Sequence, residues 1–566
     1  MKRTLAQLAD QAFDIIIIGG GIHGAAILRE ASAQGYKTAL IEQGDFGQAT
    51  SANSLKIIHG GLRYLQQGDI QRMRQSIRAR RIFLEAAPHL VHPQPFLLPL
   101  YRHGLRGREA MAAGLLLNDW ISWDRNHNLP AESRIPPGQV LSARKCLKLF
   151  PNLETEGLTG GAIWYDALAV NTERLTLEFI LDGAGKGAVP ANYVEALSLV
   201  FDKDGSVLGL EAQDRITQDR FRIHSRWVIN AAGPWMNTLL TNGRQEAPWP
   251  IHWTMGLNLV LNRTLPSGYG LGVGNQPSVN KGQGQKQRLF FLVPWKGCTM
   301  VGTAYKRYSG EPGNHQIRIE DIQEFLDQIN AVWPWENLTI QDVSNFHCGL
   351  LPLSENQDPA DAAVEPDKHF QIFEQTSDKK TKGLISIKST KFTTAPVVAE
   401  KVMDLIGQER KKPESPKPAN GNANSSSGLS SIKKDLSDLR KWNSPEELER
   451  TSHYLYENYG TRAGSIIDRI RNDLKLGNPI FSYSPILVAE IIHGIREEMA
   501  LKLADVIFRR TDLGQTRRPS RENLKECADI MGRELGWDED RRAKEIEAVL
   551  AAYGPLNEID PIPVLG

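Results

Sequence analysis

Three glycines near the N-terminus have the spacing of a phosphate-binding turn. They fit the pattern Gly-x-Gly-x-x-Gly at Gly19, Gly21 and Gly24. In such a turn the first glycine permits a tight bend, the second lets the backbone approach a pyrophosphate, and the third lets a helix pack closely on a strand. Unpaired N–H groups at the start of that helix, together with its dipole, favour an anion. We therefore predict that these glycines, with Ile22 and His23, contact a dinucleotide cofactor.

The elements around this turn form a complete strand, turn, helix and strand. Residues 13–18 are too short a run for a globular helix and are rich in β-branched side chains, as expected of a strand buried on both faces. Residues 25–35 have the pattern of a small-faced helix that ends at a glycine, and residues 37–42 that of a second strand. This strand ends at Glu42, whose carboxylate can accept hydrogen bonds from a ribose diol. The unit predicts a Rossmann-type domain, and the glycines alone leave NAD and FAD as alternatives.

Two later segments are predicted to extend the cofactor site. The hydroxyls of Thr50 and Ser51 lie in a small, polar segment and can continue the phosphate-binding surface, or cap a helix, and the two functions are compatible. A buried strand at 227–231 runs into a small-residue turn that contains Ala232 and Gly233. In a dinucleotide-binding fold such a strand returns to the first sheet.

The composition is that of a soluble globular protein with more than one domain. The chain has 566 residues, a net charge of +1 and 41% hydrophobic residues, too long for a single core. No stretch approaches the roughly 20 apolar residues that span a bilayer, and residues 1–10 lack the apolar core of a signal peptide. We therefore expect a cytoplasmic protein. The balanced charge indicates no nucleic-acid partner, and four widely separated cysteines indicate neither a metal site nor a disulfide framework.

Three regions are expected along the chain. The first interleaves a cofactor-binding part with a substrate part, in which apolar runs and an Asp-Gly turn at 204–205 predict antiparallel strands. A segment rich in Pro, Lys, Asn and Ser then predicts a flexible linker, and apolar residues at three- and four-residue spacing predict a final all-α domain. The expected bounds are 1–410 for the first region (cofactor part mainly 13–100, 160–250 and 380–410; substrate part mainly 101–160 and 251–380), 411–434 for the linker and 435–566 for the helical domain.

Residues 101–123 have the pattern of a helix that lies in a membrane interface. The basic side chains of Arg102, His103, Arg106 and Arg108 precede an apolar segment at 111–117, and Trp120 and Trp123 follow it. A basic flank beside apolar residues and tryptophans is typical of interfacial helices. Packing in a protein core explains the leucines equally well, so both interpretations stand.

Several motifs together resemble the FAD-dependent glycerol-3-phosphate dehydrogenase family. They begin with the glycine turn, Ala-Thr-Ser at 49–51 and His-Gly-Gly-Leu-Arg-Tyr-Leu at 59–65. They continue with Asn-Ala-Ala-Gly-Pro-Trp at 230–235, Val-Pro-Trp at 293–295 and Lys-Phe-Thr-Thr at 391–394. Segments of the last region, such as Glu-Glu-Met-Ala at 497–500 and Arg-Arg-Thr at 509–511, resemble the helical cap of that family. The likeness covers nearly the whole chain outside the linker.

This resemblance implies a flavoprotein of the D-amino-acid-oxidase type. The implied fold is α/β, with a Rossmann-type FAD-binding domain, an antiparallel-sheet substrate domain and a C-terminal all-α cap. The implied reaction oxidises glycerol 3-phosphate to dihydroxyacetone phosphate by hydride transfer to flavin N5, with electrons passed to quinone or another acceptor. Peripheral contact with the inner face of the cytoplasmic membrane and a homodimer are further expectations.

The resemblance also assigns site residues. Arg63 and Tyr64 are expected to line the substrate pocket, and Lys391 to lie beside flavin and substrate. His59 is the candidate base that takes the hydroxyl proton. Phe392 and Thr393, which follow the lysine, are expected at the cofactor.

The substrate half of the site departs from the family pattern. Leu351 stands where the family has a phosphate-binding arginine, and Asn258 where it has a histidine. Ser389-Thr390 replaces a Gly-Gly, and Tyr305 replaces an acid. A lost guanidinium removes a bidentate phosphate anchor.

Three hypotheses follow from these departures. In the first, glycerol 3-phosphate remains the substrate, with Arg63, Lys391 and either Lys306 or Arg307 supplying the positive charge. In the second, the chain is an FAD-dependent dehydrogenase of a different polyol or hydroxy acid. In the third, it is a flavin-bound scaffold whose catalysis has decayed. The retained Arg63 and Lys391 argue against the third, and the extent of the likeness favours the first.

Overall fold

The structure is a computed structural model that describes most of the chain. The described residues are 1–101, 103–104, 107–241, 251–274, 289–333, 337–354, 364–374, 382–408, 425–439, 442, 444–481 and 484–558. The strands are β1 (Ala12–Ile18), β2 (Thr38–Glu42), β3 (Ile57–Ile58), β4 (Val91–Leu100), β5 (Gln139–Ser142), β6 (Gly160–Ala169), β7 (Val189–Asn192), β8 (Val194–Phe201), β9 (Val207–Asp214), β10 (Arg220–Asn230), β11 (Trp253–Leu261), β12 (Gly270–Gly274), β13 (Leu289–Trp295), β14 (Cys298–Tyr308), β15 (Val343–Pro352), β16 (Gln371–Glu374) and β17 (Leu384–Lys388).

The helices are α1 (Leu5–Asp10), α2 (Ile22–Ala33), α3 (Leu62–Leu65), α4 (Ile70–Ala86), α5 (Arg108–Ile121), α6 (Ala143–Leu149), α7 (Thr172–Gly185), α8 (Met236–Thr241), α9 (Ile319–Val332), α10 (Ala395–Gln408), α11 (Ser425–Leu439), α12 (Pro445–Tyr459), α13 (Ala463–Asn472), α14 (Val488–Glu498), α15 (Leu503–Asp505), α16 (Arg521–Leu535) and α17 (Glu539–Ala551). Among these described helices, none combines the length and the apolar character needed to cross a bilayer.

The first sheet is built around the strand that precedes the glycine turn. Its order is β16, β17, β10, β1, β2, β7, and the pairs from β17 to β7 are parallel. β1 is central and its isoleucines are buried on both faces, as the uninterrupted apolar run predicts. β10 returns to this sheet beside β1, with Ile18 opposite Asn230, which confirms the prediction for residues 227–231. The predicted Rossmann-type domain is therefore confirmed.

Each face of this sheet is covered by different elements. Helices α2, α7 and α10 pack on one face of this sheet. Their buried core includes Phe179 of α7 and Phe83 of α4. On the other face, α1 and the antiparallel pair β8 and β9 bury a second core. The Asp-Gly turn at 204–205 joins β8 to β9, so the predicted hairpin is confirmed.

The second sheet is mainly antiparallel and forms the wall of a large cavity. Its order is β15, β11, β14, β13, β12, β4, β6, β3, with β5 on β6, and the pair β12 and β4 is parallel. Strands β3, β4 and β6 fall within segments that the sequence analysis gave to the cofactor part, yet they pair in this sheet. The predicted bounds are wrong there, because the chain crosses between the two sheets more often than local patterns reveal.

The C-terminal region is helical, as predicted, and has two buried cores within the described residues. One joins α14 to the helices that follow it, and the other joins α11, α12 and α13. Residues 425–434, predicted as part of the linker, lie instead in α11, which buries Ile432 and Leu436 against α12 and α13. Residues 411–424 of the predicted linker lie outside the described part of the chain.

Candidate active site

The glycine turn has the geometry that its sequence predicts. Gly19 has φ +107°, and a Cβ there would lie 2.5 Å from the carbonyl oxygen of Ala231. A Cβ on Gly24 would lie 1.9 Å from the carbonyl oxygen of Gly19. Both positions therefore exclude a side chain, and the turn brings the start of α2 against the ends of β1 and β10.

The polar groups around the turn are held by backbone contacts. The Glu42 carboxylate, at the end of β2, accepts hydrogen bonds from the N–H groups of Gly20 at 2.6 Å and Gly44 at 2.8 Å. Burial raises the pKa of Glu42, and these two N–H groups partly oppose that effect. Ser51 Oγ accepts a hydrogen bond from the Ile22 N–H at 3.0 Å, so this hydroxyl lies at the N-terminus of α2. Thr50 Oγ1 donates to the carbonyl of Leu350.

A cavity of about 1940 Å³ extends from this turn to the face of the second sheet. It exceeds the roughly 300–1,000 Å³ of common ligand pockets, so it has room for a dinucleotide and a second, smaller molecule. The predicted site residues that line it are Gly19, Gly21, Ile22, His23, Glu42, Thr50, Ser51, His59, Arg63, Tyr64, Ala232, Gly233, Lys391, Phe392 and Thr393. Gly24 is the exception, because it lies behind the turn, where helix and strand meet.

Several polar atoms on the cavity wall are suited to an extended polar ligand. Within the described residues, the hydroxyls of Ser389 and Thr390 and the Nε2 atom of His23 are buried and lack a hydrogen-bond partner. Ser389 and Thr390 lie between β17 and Lys391, and His23 lies in the first turn of α2. Buried polar atoms are usually paired, so the residues present fit a dinucleotide that would supply the missing partners.

Two cations, Arg63 and Lys391, lie close together on the cavity wall. Lys391 precedes α10, and its Nζ lies 4.3 Å from the centre of the Tyr64 ring. Burial, with repulsion from the Arg63 guanidinium, lowers the pKa of Lys391 to about 8. Arg63 and Tyr64 lie on the short helix α3. The residue before this helix, Gly61, has a left-handed backbone conformation with φ +84°. The side chains of Arg63 and Lys391 could together bind an anionic group.

His59 lies on the same cavity wall and has a carboxylate partner. Its imidazole is 48% exposed, and Nδ1 lies 3.4 Å from Oδ2 of Asp166, which is buried in β6. The backbone N–H of His59 donates to Thr393 Oγ1 at 3.1 Å. Segments 59–64 and 391–393, far apart in sequence, are thus joined at one site.

Three of the residues that depart from the family pattern, Leu351, Tyr305 and Asn258, lie at one patch of the cavity. A Cβ on Gly256 would meet Leu351 at 3.2 Å, Thr303 at 3.4 Å and Tyr305 at 3.5 Å. Asn258 is buried next to this patch and accepts a hydrogen bond from Thr303 Oγ1 at 2.8 Å. The wall is therefore apolar and aromatic at Leu351, where the resemblance implies a cation.

Lys306 and Arg307, proposed as alternative cations, are not among the residues that line the cavity. Side chains alternate along β14, so that Tyr305 faces the cavity while Lys306 forms an ion pair with Asp321. Two other lysines that line the cavity are already paired, Lys388 with Asp367 and Lys368 with Glu365. Among the described residues, the positive charge predicted for the substrate is therefore reduced to Arg63 and Lys391.

Sequence reasoning missed the carboxylate of Asp166. The available signal was an acid in an otherwise apolar strand, residues 160–169. Its partner is more than a hundred residues away, and only the pairing of β3 with β6 brings the two together.

Two family models match the chain. The model described as FAD dependent oxidoreductase matches residues 14–405. The model described as C-terminal domain of alpha-glycerophosphate oxidase matches residues 438–542.

Similar proteins extend over nearly the full length of the chain. A glycerol-3-phosphate dehydrogenase of Synechocystis sp. is 28% identical over 96% of this chain and 97% of its own. An aerobic glycerol-3-phosphate dehydrogenase of Bacillus subtilis is 28% identical over 96% and 95%. Among solved structures, the glycerol-3-phosphate dehydrogenase from Bacillus halodurans complexed with FAD matches with a TM-score of 0.74, 24% identity and 97% of both chains. The last likeness shows a shared fold.

Proposed function

Since the chain belongs to the FAD-dependent oxidoreductase family, we propose that it is an FAD-dependent dehydrogenase that oxidises glycerol 3-phosphate to dihydroxyacetone phosphate. The observation that carries the proposal is the meeting of Arg63, Lys391 and His59 in the cavity that begins at the dinucleotide turn. Two cations suit a phosphate, and a half-exposed imidazole suits a hydroxyl proton. The full-length relatives named glycerol-3-phosphate dehydrogenase support the same substrate.

The residues that would hold FAD follow from the geometry. The turn from Gly19 to Gly24 and the start of α2 would bind the pyrophosphate, and Glu42 the ribose. Ser389, Thr390 and the segment 391–393 line the same cavity and would contact the rest of the cofactor. When bound, FAD supplies an acceptor for a hydride at ring atom N5.

The side chains of the chain itself position the substrate and move its proton. Arg63 and Lys391 bind the phosphate group, and Tyr64, in contact with Lys391, fixes the lysine. His59 accepts the proton of the secondary hydroxyl while the carbon gives up its hydrogen with the bonding electron pair, so that the carbon–oxygen bond becomes a carbonyl. The two electrons and the proton of the hydride pass on to a quinone or another acceptor, and the proton on His59 is released to solvent.

Anaerobic bleaching of the flavin absorbance tests this proposal. Glycerol 3-phosphate is expected to bleach the purified yellow protein, and glycerol and simple 2-hydroxy acids at equal concentration are not, because they lack the phosphate that Arg63 and Lys391 bind. Bleaching only by another alcohol would show a different specificity and refute the proposed substrate. A yellow protein that none of these compounds reduces would support the scaffold hypothesis.

We also propose that α5 contacts the membrane that holds a lipophilic electron acceptor. Leu116 and Trp120 on α5 and Trp123, two residues after its end, are 72%, 75% and 79% exposed, while Leu115 and Ile121 are buried on the opposite side of the helix. The helix follows basic residues, of which Arg102 and Arg106 lie outside the described part of the chain. An exposed face with two tryptophans is typical of an interfacial helix. Because residues of α5 also line the cavity, an acceptor in the membrane would have a short route to it.

Binding to liposomes tests the contact. Replacing Trp120 and Trp123 with Glu is expected to abolish co-sedimentation with anionic liposomes and to leave anaerobic flavin bleaching unchanged. Phe201→Glu is the matched control, since Phe201 is also exposed, at 41%, but lies on the β8–β9 hairpin. Equal loss of liposome binding in both proteins would argue against a contact through α5.

A further inference from the structure

The carboxylate of Asp166 is held by four groups from three segments of the chain. Oδ1 accepts hydrogen bonds from the Gly60 N–H at 2.5 Å and from Arg80 Nη1 at 3.1 Å. Oδ2 accepts from Trp164 Nε1 at 3.3 Å and faces His59 Nδ1 at 3.4 Å. Asp166 itself is only 7% exposed. Such a set of contacts leaves the carboxylate little freedom to rotate.

These contacts keep the carboxylate charged. Burial alone would raise the pKa of Asp166, but the hydrogen bond and charge of His59, the Arg80 guanidinium and the Gly60 N–H together lower it. Arg80 is itself fixed, because Nη1 also donates to the carbonyl of Tyr165 at 2.6 Å. The anion therefore persists at neutral pH directly behind the imidazole.

From this geometry we infer that Asp166 is the positioning residue of the catalytic histidine in the proposed reaction. Its carboxylate holds the proton of the neutral imidazole on Nδ1, so that Nε2 keeps its lone pair for the hydroxyl proton of the substrate. Once Nε2 has taken that proton, the negative charge stabilises the imidazolium. The distance of 3.4 Å is long for a strong hydrogen bond, and such contacts shorten when substrate binds. The inference rests on the proposed function, because it assigns the base of that reaction.

A purely structural role for Asp166 makes a different prediction. The bonds from Gly60 and Arg80 could serve only to fix the loop between β3 and α3. In that case the charge of the carboxylate would be unimportant, and asparagine, which offers an oxygen to the same donors, would serve nearly as well. Among the described residues, Asp166 on β6 contacts the ring and Arg80 on α4 pairs with Asp166, while Arg63 and Lys391 line the same cavity.

Asp166→Asn in the FAD-loaded protein tests the inference by two measurements. The rate of flavin reduction is expected to fall by roughly 10²-fold, near the lower end of the contribution of general-base catalysis. The acidic limb of its pH profile is expected to move to lower pH, because the imidazolium loses its counter-charge. Trp164→Phe is the matched control: it removes one donor to the same carboxylate without changing the charge, and the acidic limb should stay in place.

The second measurement does not depend on the substrate. In protein labelled with ¹⁵N-histidine, the His59 signals are assigned by their loss in His59→Gln, and the ring is titrated in the wild type and in Asp166→Asn. The expected result is a proton on Nδ1 in the wild type and a lower titration midpoint in the variant. An unchanged tautomer and midpoint would overturn the inference, whatever the substrate is. A shifted titration together with no bleaching by glycerol 3-phosphate would instead leave the Asp166–His59 pairing standing and refute the proposed substrate.

Discussion

The most informative perturbation of the fold is the removal of Arg510, which connects the C-terminal region to the FAD-binding domain. Arg510 is 1% exposed and Asp45 is fully buried. The guanidinium donates to both oxygens of Asp45, at 2.7 and 2.8 Å, and twice to the carbonyl of Glu498, at 3.0 and 2.7 Å. Asp45 lies in the loop that follows β2, three residues after Glu42, so this contact fixes the loop next to the predicted ribose-binding acid.

Arg510→Met keeps an unbranched side chain but removes the guanidinium and with it all four hydrogen bonds. Removing one partner of a buried ion pair costs about 3–5 kcal/mol. Asp45 would retain Arg509 Nε at 2.6 Å and Asn192 Nδ2 at 2.9 Å, so we expect the lower end, about 3 kcal/mol. This corresponds to roughly a hundredfold change in the unfolding equilibrium of the region that opens first.

Two signals during urea unfolding measure the effect. Tryptophan fluorescence follows the protein, and the fluorescence of released FAD follows the cofactor site, because a chain with several cores need not unfold in one step. Arg496→Met is the matched control: Arg496 makes two bonds to Glu534, at 2.6 and 2.8 Å, but its side chain is 54% exposed. Exposed pairs contribute roughly 0–1 kcal/mol. Equal shifts of the first transition in the two variants would refute the reasoning.

Substitutions at four further positions test the cofactor turn, the substrate pocket and the C-terminal region separately. Gly21→Val should yield protein without bound FAD, because the side chain blocks approach of the backbone to the pyrophosphate, and a fully yellow variant would contradict this. Lys391→Ala should slow flavin reduction by about 10²-fold while FAD stays bound. Because the pKa of Lys391 lies at about 8, the lysine loses its charge above pH 8 and KM of the wild type should rise there. Lys391→Arg should remove that rise. Leu351→Arg should lower KM for glycerol 3-phosphate by roughly tenfold or more, whereas no change would indicate a pocket shaped for another substrate. Burial raises the pKa of Glu490 to about 8. The contribution of this residue to stability is therefore complete below about pH 4 and is lost as the pH rises through 8. In thermal denaturation, Glu490→Gln should lose less stability than the wild type between pH 6 and 9.

The cofactor half of the molecule was predictable because its signals are local. The run at 13–18, the spacing of Gly19, Gly21 and Gly24, and the acid at 42 lie within one strand, turn, helix and strand unit. Each residue type there is dictated by backbone geometry or by close packing, and the structure has the same elements in the same order.

The parts that the sequence did not reveal depend on distant contacts. Residues 425–434 have the composition of a linker, yet Ile432 and Leu436 are buried by packing on α12 and α13. Lys306 had the charge expected of a phosphate ligand, but strand alternation directs it to Asp321. Asp166 became visible as a partner of His59 only once β6 was found beside β3.

The central claim is that this cavity oxidises glycerol 3-phosphate, and product formation in a single anaerobic turnover tests it most directly. The FAD-loaded protein is mixed with excess glycerol 3-phosphate without an electron acceptor, and dihydroxyacetone phosphate is quantified against reduced flavin. We expect equimolar dihydroxyacetone phosphate and reduced flavin, formed at the same rate. Reduced flavin without dihydroxyacetone phosphate, or oxidised flavin throughout, would contradict it.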